Sequence, residues 1–140
     1  MALLFGRDKS KGLLLEAAQK GLTQEVRQLL DKGAEVDCRD DAGRTQLIRA
    51  AVAGHSRTVR ILLEAKAFVD ARDLKGYTSL MGAAVRNDKP LVQLLLSRGA
   101  DVNAADADCN TALMLAAHLG RREMVSLLLD NGETISRRPR

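Results

Sequence analysis

Aromatic residues are nearly missing from this 140-residue chain: Phe5, Phe68 and Tyr77 are all it has, and tryptophan is absent. Three scattered rings make no stacking platform for single-stranded nucleic acid. Two cysteines, Cys38 and Cys109, and two histidines, His55 and His118, are too few and too far apart in sequence for a zinc site, and no Cys-x-x-Cys occurs. The cysteines lie two repeats apart, too far to bridge, so both are expected as thiols in a reducing compartment. No stretch approaches the roughly 18 consecutive apolar residues of a membrane helix. The apolar run Met1 to Phe5 is followed by Arg7, Asp8, Lys9 and Lys11 with no small-residue cleavage site, unlike a secretory signal. Gly-x-Gly-x-x-Gly and Walker sequences are missing, and Asp101, Asp106 and Asp108 lack the spacing of a calcium loop. These absences point to a cytoplasmic protein with no cofactor, no metal, no small-molecule substrate and no membrane contact.

A net charge of +4 invites a nucleic-acid reading, but its location argues against one. Residues 12–133 carry 16 basic against 17 acidic residues; the excess sits at Arg7, Lys9 and Lys11 and at Arg137, Arg138 and Arg140. The body is nearly neutral, and the basic end reads as a solvated tail or a weak nuclear signal.

What the chain does have is a period of 33. Asp40, Asp73 and Asp106 follow it, as do Thr45, Thr78 and Thr111. Leu14, Leu47, Leu80 and Leu113 extend it to four copies, joined by Ala17-Ala18, Ala50-Ala51, Ala83-Ala84 and Ala116-Ala117. Val26, Val59, Val92 and Val125 keep the same register, and so do the leucine pairs from Leu29-Leu30 to Leu128-Leu129.

Within a copy the spacing is helical: Leu80, Ala83 and Ala84 stand at i, i+3 and i+4, and Val92, Leu95 and Leu96 repeat the pattern. Each copy therefore holds two short helices. Asp40 to Gly43 and Asp73 to Gly76 suit a tight turn, after which Thr45 or Thr78 caps the first helix. Asp88 before Pro90 opens the second helix of the third copy. Gly33, Gly99 and Gly132 are expected to close second helices in the left-handed conformation. Lys66 and Cys109 stand where other copies have glycine, so a positive φ is expected there too. Helices this short barely form alone and must stack into a continuous core.

The segments Thr45-Gln46-Leu47-Ile48-Arg49-Ala50, Thr78-Ser79-Leu80-Met81-Gly82-Ala83 and Thr111-Ala112-Leu113-Met114-Leu115-Ala116 resemble the Thr-Pro-Leu-His-x-Ala signature of the ankyrin repeat, itself 33 residues long. Gly54-His55 resembles that family's interhelical turn, and Gly99-Ala100-Asp101-Val102-Asn103 its hairpin entry. The resemblance implies an all-α solenoid of helix-turn-helix pairs joined by β-hairpin fingers. The expected organisation is a partly flexible lead at 1–11, one domain over 12–136 with copies at 7–39, 40–72, 73–105 and 106–138, and a basic tail at 137–140. The signature's Pro and His are missing from every copy, Ile48, Met81 and Met114 taking the His position.

The first copy lacks the Asp-x-x-Gly turn and sets Glu16, Gln19, Lys20, Gln24, Arg27 and Gln28 between its apolar rows, as a terminal cap requires. Arg121, Arg122, Glu123, Ser126 and Asp130 are read as the cap at the other end.

Proteins of the resembled family dock partners on the finger tips and on the concave face of the first helices. Carried over by position, those sites are Arg39, Asp41, Ala42 and Arg44 with Val52 and Ala53 in the second copy. In the third they are Arg72, Leu74, Lys75 and Tyr77 with Val85 and Arg86; in the fourth, Ala107, Asp108 and Asn110 with His118 and Leu119. Tyr77, Arg44 and Arg86 supply residue types enriched in interface hot spots, so the expected function is a non-catalytic, monomeric scaffold gripping a protein or peptide there. The alternatives are an inhibitor masking an enzyme's active surface, nucleic-acid contact through the basic tail, and an engineered or reconstructed scaffold. Cys109 and His118 are too far apart along the first helix of the fourth copy to act as nucleophile and base.

Overall fold

The computed structural model describes residues 12–136. Residues 12–20 are helical and form α1. The remaining helices are α2 (Thr23–Asp31), α3 (Gln46–Ala53), α4 (Ser56–Glu64), α5 (Ser79–Val85), α6 (Lys89–Ser97), α7 (Ala112–His118) and α8 (Arg122–Ser136). Each 33-residue copy thus folds as two helices, and the odd-numbered helices open as their threonines dictate. Thr45, Thr78 and Thr111 accept the backbone N–H of Ile48, Met81 and Met114. Asp88 caps α6 in the same way, accepting from Leu91 N at 3.2 Å.

Sharp reversals separate the helices. Gly21, Gly54, Asn87 and Gly120 occupy one register position between the helices of a pair, and all have positive φ. Asparagine is the residue that tolerates this conformation best after glycine. After the second helix, Gly33, Lys66 and Gly99 turn left-handed, Lys66 with φ 69°. Gly132 does not: it lies inside α8, which runs on to Ser136. The reason is visible in the next residue, because Glu133 stands where Ala34, Ala67 and Ala100 lead the chain back into the stack.

Three fingers reach out between the pairs. Asp40 N, Asp73 N and Asp106 N donate to Arg44 O, Tyr77 O and Asn110 O at 2.9–3.0 Å. The first and third also form single antiparallel bridges, Arg39 with Thr45 and Ala105 with Thr111. The glycine position of the turn has positive φ in all three, Cys109 included.

The rows read from the sequence make the core. α3 packs on α5 and α5 on α7, while α3, α5 and α7 also pack on α4, α6 and α8 of their own copies. Leu14, Leu47 and Leu80, the paired alanines of the first three copies, and Leu62, Leu95 and Leu128 are buried in one continuous cluster. Ile48 and Met81, in the signature's His position, are fully buried, so apolar packing takes the place of a polar contact there. Gln46, at the missing Pro, is buried as well and donates to Glu35 O and Cys38 Sγ, tying the hairpin to α3.

Candidate partner-binding surface

The positions carried over from the resemblance lie on the three fingers and at the C-terminal ends of α3, α5 and α7, and several of their side chains are engaged within the stack. Arg39 donates to Gly43 O at 2.8 Å and reaches across to Arg72 O at 2.6 Å. Arg72, one repeat on, repeats the contact to Ala105 O. These arginines strap one finger to the next. The backbone adds further ties, Leu74 N to Ala42 O at 3.0 Å and Ala107 N to Lys75 O at 2.8 Å.

Arg44 and Arg49 converge on Asp40, with Nε of Arg44 at 3.0 Å and Nη2 of Arg49 at 2.8 Å from Oδ2. Burial alone would raise the Asp40 pKa. The backbone N–H of Arg44, the hydrogen bond from Arg49 and the two positive charges outweigh it and hold the carboxyl at about 2. Asp73 and Asp106 head the other two fingers, accepting N–H groups from Lys75 and Tyr77 and from Asp108 and Asn110.

Tyr77 is half-buried against the core. Burial, followed by the charges of Asp73 and Asp106, raises its pKa. Tyr77 thus sits between the second and third fingers, partly covered, rather than standing clear of them. Arg86 is exposed, yet its guanidinium lies over Gly54 so closely that a Cβ there would clash. His55 covers Gly21 similarly and contacts Gln19 O through Nε2 at 3.0 Å. Arg121 makes the equivalent contact to Val85 O at 3.4 Å. Asp88 holds that position in the third copy, where its carboxylate has no N–H to donate, and it is there that Arg86 lies across the preceding turn.

Solvent meets a different set. Leu74 at the middle finger tip is 77% exposed, more than any other large apolar residue described. Val52 and Leu119 on the concave side are also exposed, as are Asp41, Lys75, Asp108 and His118. Val85 and Asn110 are half-buried. Phe68, exposed at the hairpin entry of the second copy, is not among the positions carried over from the resemblance, and its register position is polar or charged in the other copies. The basic residues Arg137, Arg138 and Arg140 lie outside the described residues, as does the 1–11 lead.

Cys38 is buried and Cys109 exposed, and no disulfide joins them. Among the described residues no cluster of His, Cys, Asp and Glu is placed to hold a metal ion, and no helix is long and apolar enough to cross a membrane. A family model for ankyrin repeats, three copies long, matches residues 14–106 and again 69–138. The chain belongs to the ankyrin repeat family. No curated protein matches it in a sequence search. Ankyrin repeats are in general protein–protein interaction modules and are typically non-catalytic, which turns attention to where this ankyrin stack offers a partner both apolar surface and unspent hydrogen-bonding groups.

Both ends of the ankyrin stack leave apolar side chains in solvent, Leu13 and Leu22 among them at the N-terminal end. At the N-terminal end a hollow of about 280 Å³ lies between Leu13, Ala17, Leu22 and Leu29, bordered by Glu16, Lys20, Glu25, Gln28 and Lys32. Lys20 binds Glu16 at 2.7 Å and lowers its pKa, keeping that border charged. At the C-terminal end Met114 is 52% and Leu129 45% exposed, with Ala117 exposed beside them. The polar residues of α8 expected to cap this end leave those side chains open to solvent.

Proposed function

We propose that the chain is a non-catalytic binding module that grips a protein or peptide segment along its finger tips and concave first-helix face, centred on Leu74. The observation that carries this reading is the pairing of high exposure with a fixed backbone. Leu74 presents its side chain to water while its N–H is bound to the preceding finger and Arg72 straps its own finger to the following one. An apolar group held in this way loses little conformational freedom when a partner covers it.

Around Leu74 the charges are mixed, with Asp41 and Asp108 against Arg44 and Lys75. Arg44 is already engaged by Asp40, and Arg39 and Arg72 by carbonyls of the fingers. That balance favours a ligand with an apolar anchor and a polar flank over a uniformly acidic one. Arg86 and Tyr77 then serve as the walls of the surface and Leu74 as its contact point.

A photo-crosslinking amino acid placed at position 74, and for comparison at the convex position 60, tests the placement in native lysate. Discrete adducts are expected from position 74 and not from position 60. Equal adducts from both positions, or adducts from 60 alone, would reject the finger-tip site.

A further inference from the structure

We propose that the segment Leu3-Leu4-Phe5 folds back on the N-terminal end of the stack and covers Leu13, as a hairpin entry covers the start of the first helix in a later copy. This contact is independent of the finger-tip site, and the register carries it. Leu13 is 46% exposed, yet its row continues through Gln46, Ser79 and Ala112, all fully buried. What covers that row is visible at Gln46. Its Nε2 donates to Glu35 O at 2.8 Å and to Cys38 Sγ at 2.9 Å, both in the entry that precedes α3.

The entries bury alternate residues. Val36, Val69 and Val102 form one inward row and Cys38, Ala71 and Ala104 the next, all buried or half-buried, while Glu35, Phe68 and Asp101 beside them are exposed. One step of 33 earlier, those two inward rows hold Leu3 and Phe5. Leu4 falls between them, in the row of Asp37, Asp70 and Asn103, which are exposed or half-buried. Leu3 and Phe5 are larger than the residues that continue their rows, which suits an end where a hollow of about 280 Å³ opens beside Leu13. Phe5 stands eight positions before Leu13, as Cys38 stands before Gln46, so the reach is the same. Through so short a tether the contact is intramolecular and needs no large area to form. Arg7 replaces the aspartate that heads each finger at Asp40, Asp73 and Asp106, so the entry alone is assigned here and not a finger turn.

The chain has no tryptophan, so a single one placed in the full chain reports on this contact. Leu3→Trp, Leu4→Trp and Phe5→Trp are each compared, in dilute solution, with a free peptide of residues 1–11 carrying the same substitution. Leu3→Trp and Phe5→Trp should emit at shorter wavelength than their peptides and resist acrylamide quenching. Leu4→Trp should be quenched nearly as its peptide is. Leu13→Glu, at an exposed position, should restore quenching of Phe5→Trp while the helical signal stays unchanged. Quenching of all three as in their peptides, protection of Leu4→Trp equal to that of its neighbours, protection of Phe5→Trp that survives Leu13→Glu, or protection that appears only as concentration rises would each overturn the proposal.

Discussion

The two ends of the ankyrin stack are built from the same rows of residues and both leave leucines in water, Leu13 and Leu22 at one end and Leu129 beside Met114 at the other, but they differ in the row that changes its chemistry. Where the later copies bury Thr58, Leu91 and Met124, the first copy has Glu25; where interior copies bury Ile48 and Met81, the last copy leaves Met114 in solvent. A cap is therefore a matter of which row changes its chemistry. At the N-terminal end charged and polar residues of α1 and α2, among them Glu16, Lys20, Glu25 and Gln28, border the apolar hollow. Those on α8, such as Arg122, Glu123, Ser126 and Asp130, leave the apolar row uncovered.

The largest expected effect compares one residue type in one row. Met81→Ala removes a fully buried side chain and should cost about 2–5 kcal/mol, whereas Met114→Ala at the open end should cost below about 1 kcal/mol. Urea titration of both variants at low concentration measures the gap, and equal losses would break the distinction between interior and end.

The second effect belongs to the N-terminal half, where Arg44 and Arg49 serve Asp40; the last finger has Asn110 and Leu115 in their places. Asp40 is held at about 2, below its ordinary 3.8. A carboxyl depressed by folding contributes stability above its unfolded pKa and loses it as pH falls through the folded value. Wild type should lose about 1–2 kcal/mol between pH of about 4 and 2, after allowance for screening at the half-exposed Arg44, and Asp40→Asn should not show that loss.

Smaller effects of opposite sign are expected along the glycine row that closes the second helices. Gly99 has φ 88° and open space around it, so Gly99→Ala should cost about 1–2 kcal/mol through backbone strain alone. Lys66→Gly, at φ 69°, should stabilise by about 0.5–1 kcal/mol. Gly132→Ala should also stabilise by about 0.5–1 kcal/mol, because Gly132 lies within α8 with nothing near it. Thermal melts of the three variants check the signs, and a destabilised Gly132→Ala would restore a turn at the C-terminal end.

Much of the fold was legible because the period repeats its own punctuation. Three threonines at one step of 33 gave three caps, and the alanine and leucine rows gave the order of packing. The turn at Asn87 was not picked out, although its register with Gly21, Gly54 and Gly120 carries the signal. The binding surface was less so. Arg39, Arg72 and Arg86 looked available within a single copy, and their partners, Arg72 O, Ala105 O and the Gly54 backbone, belong to a neighbouring one. Tyr77 likewise reads as exposed until Asp73 and Asp106 are seen on either side of it. Gly132 misled because a glycine permits a reversal without requiring one; the chain turns only where an alanine follows to dock.

The exposure of the C-terminal row is tested most directly by oxidising the wild-type chain with hydrogen peroxide and following each methionine by mass spectrometry. Met114 should convert to the sulfoxide well before the fully buried Met81 and Met124. Equal rates at the three would contradict the distinction between buried interior rows and an open C-terminal row.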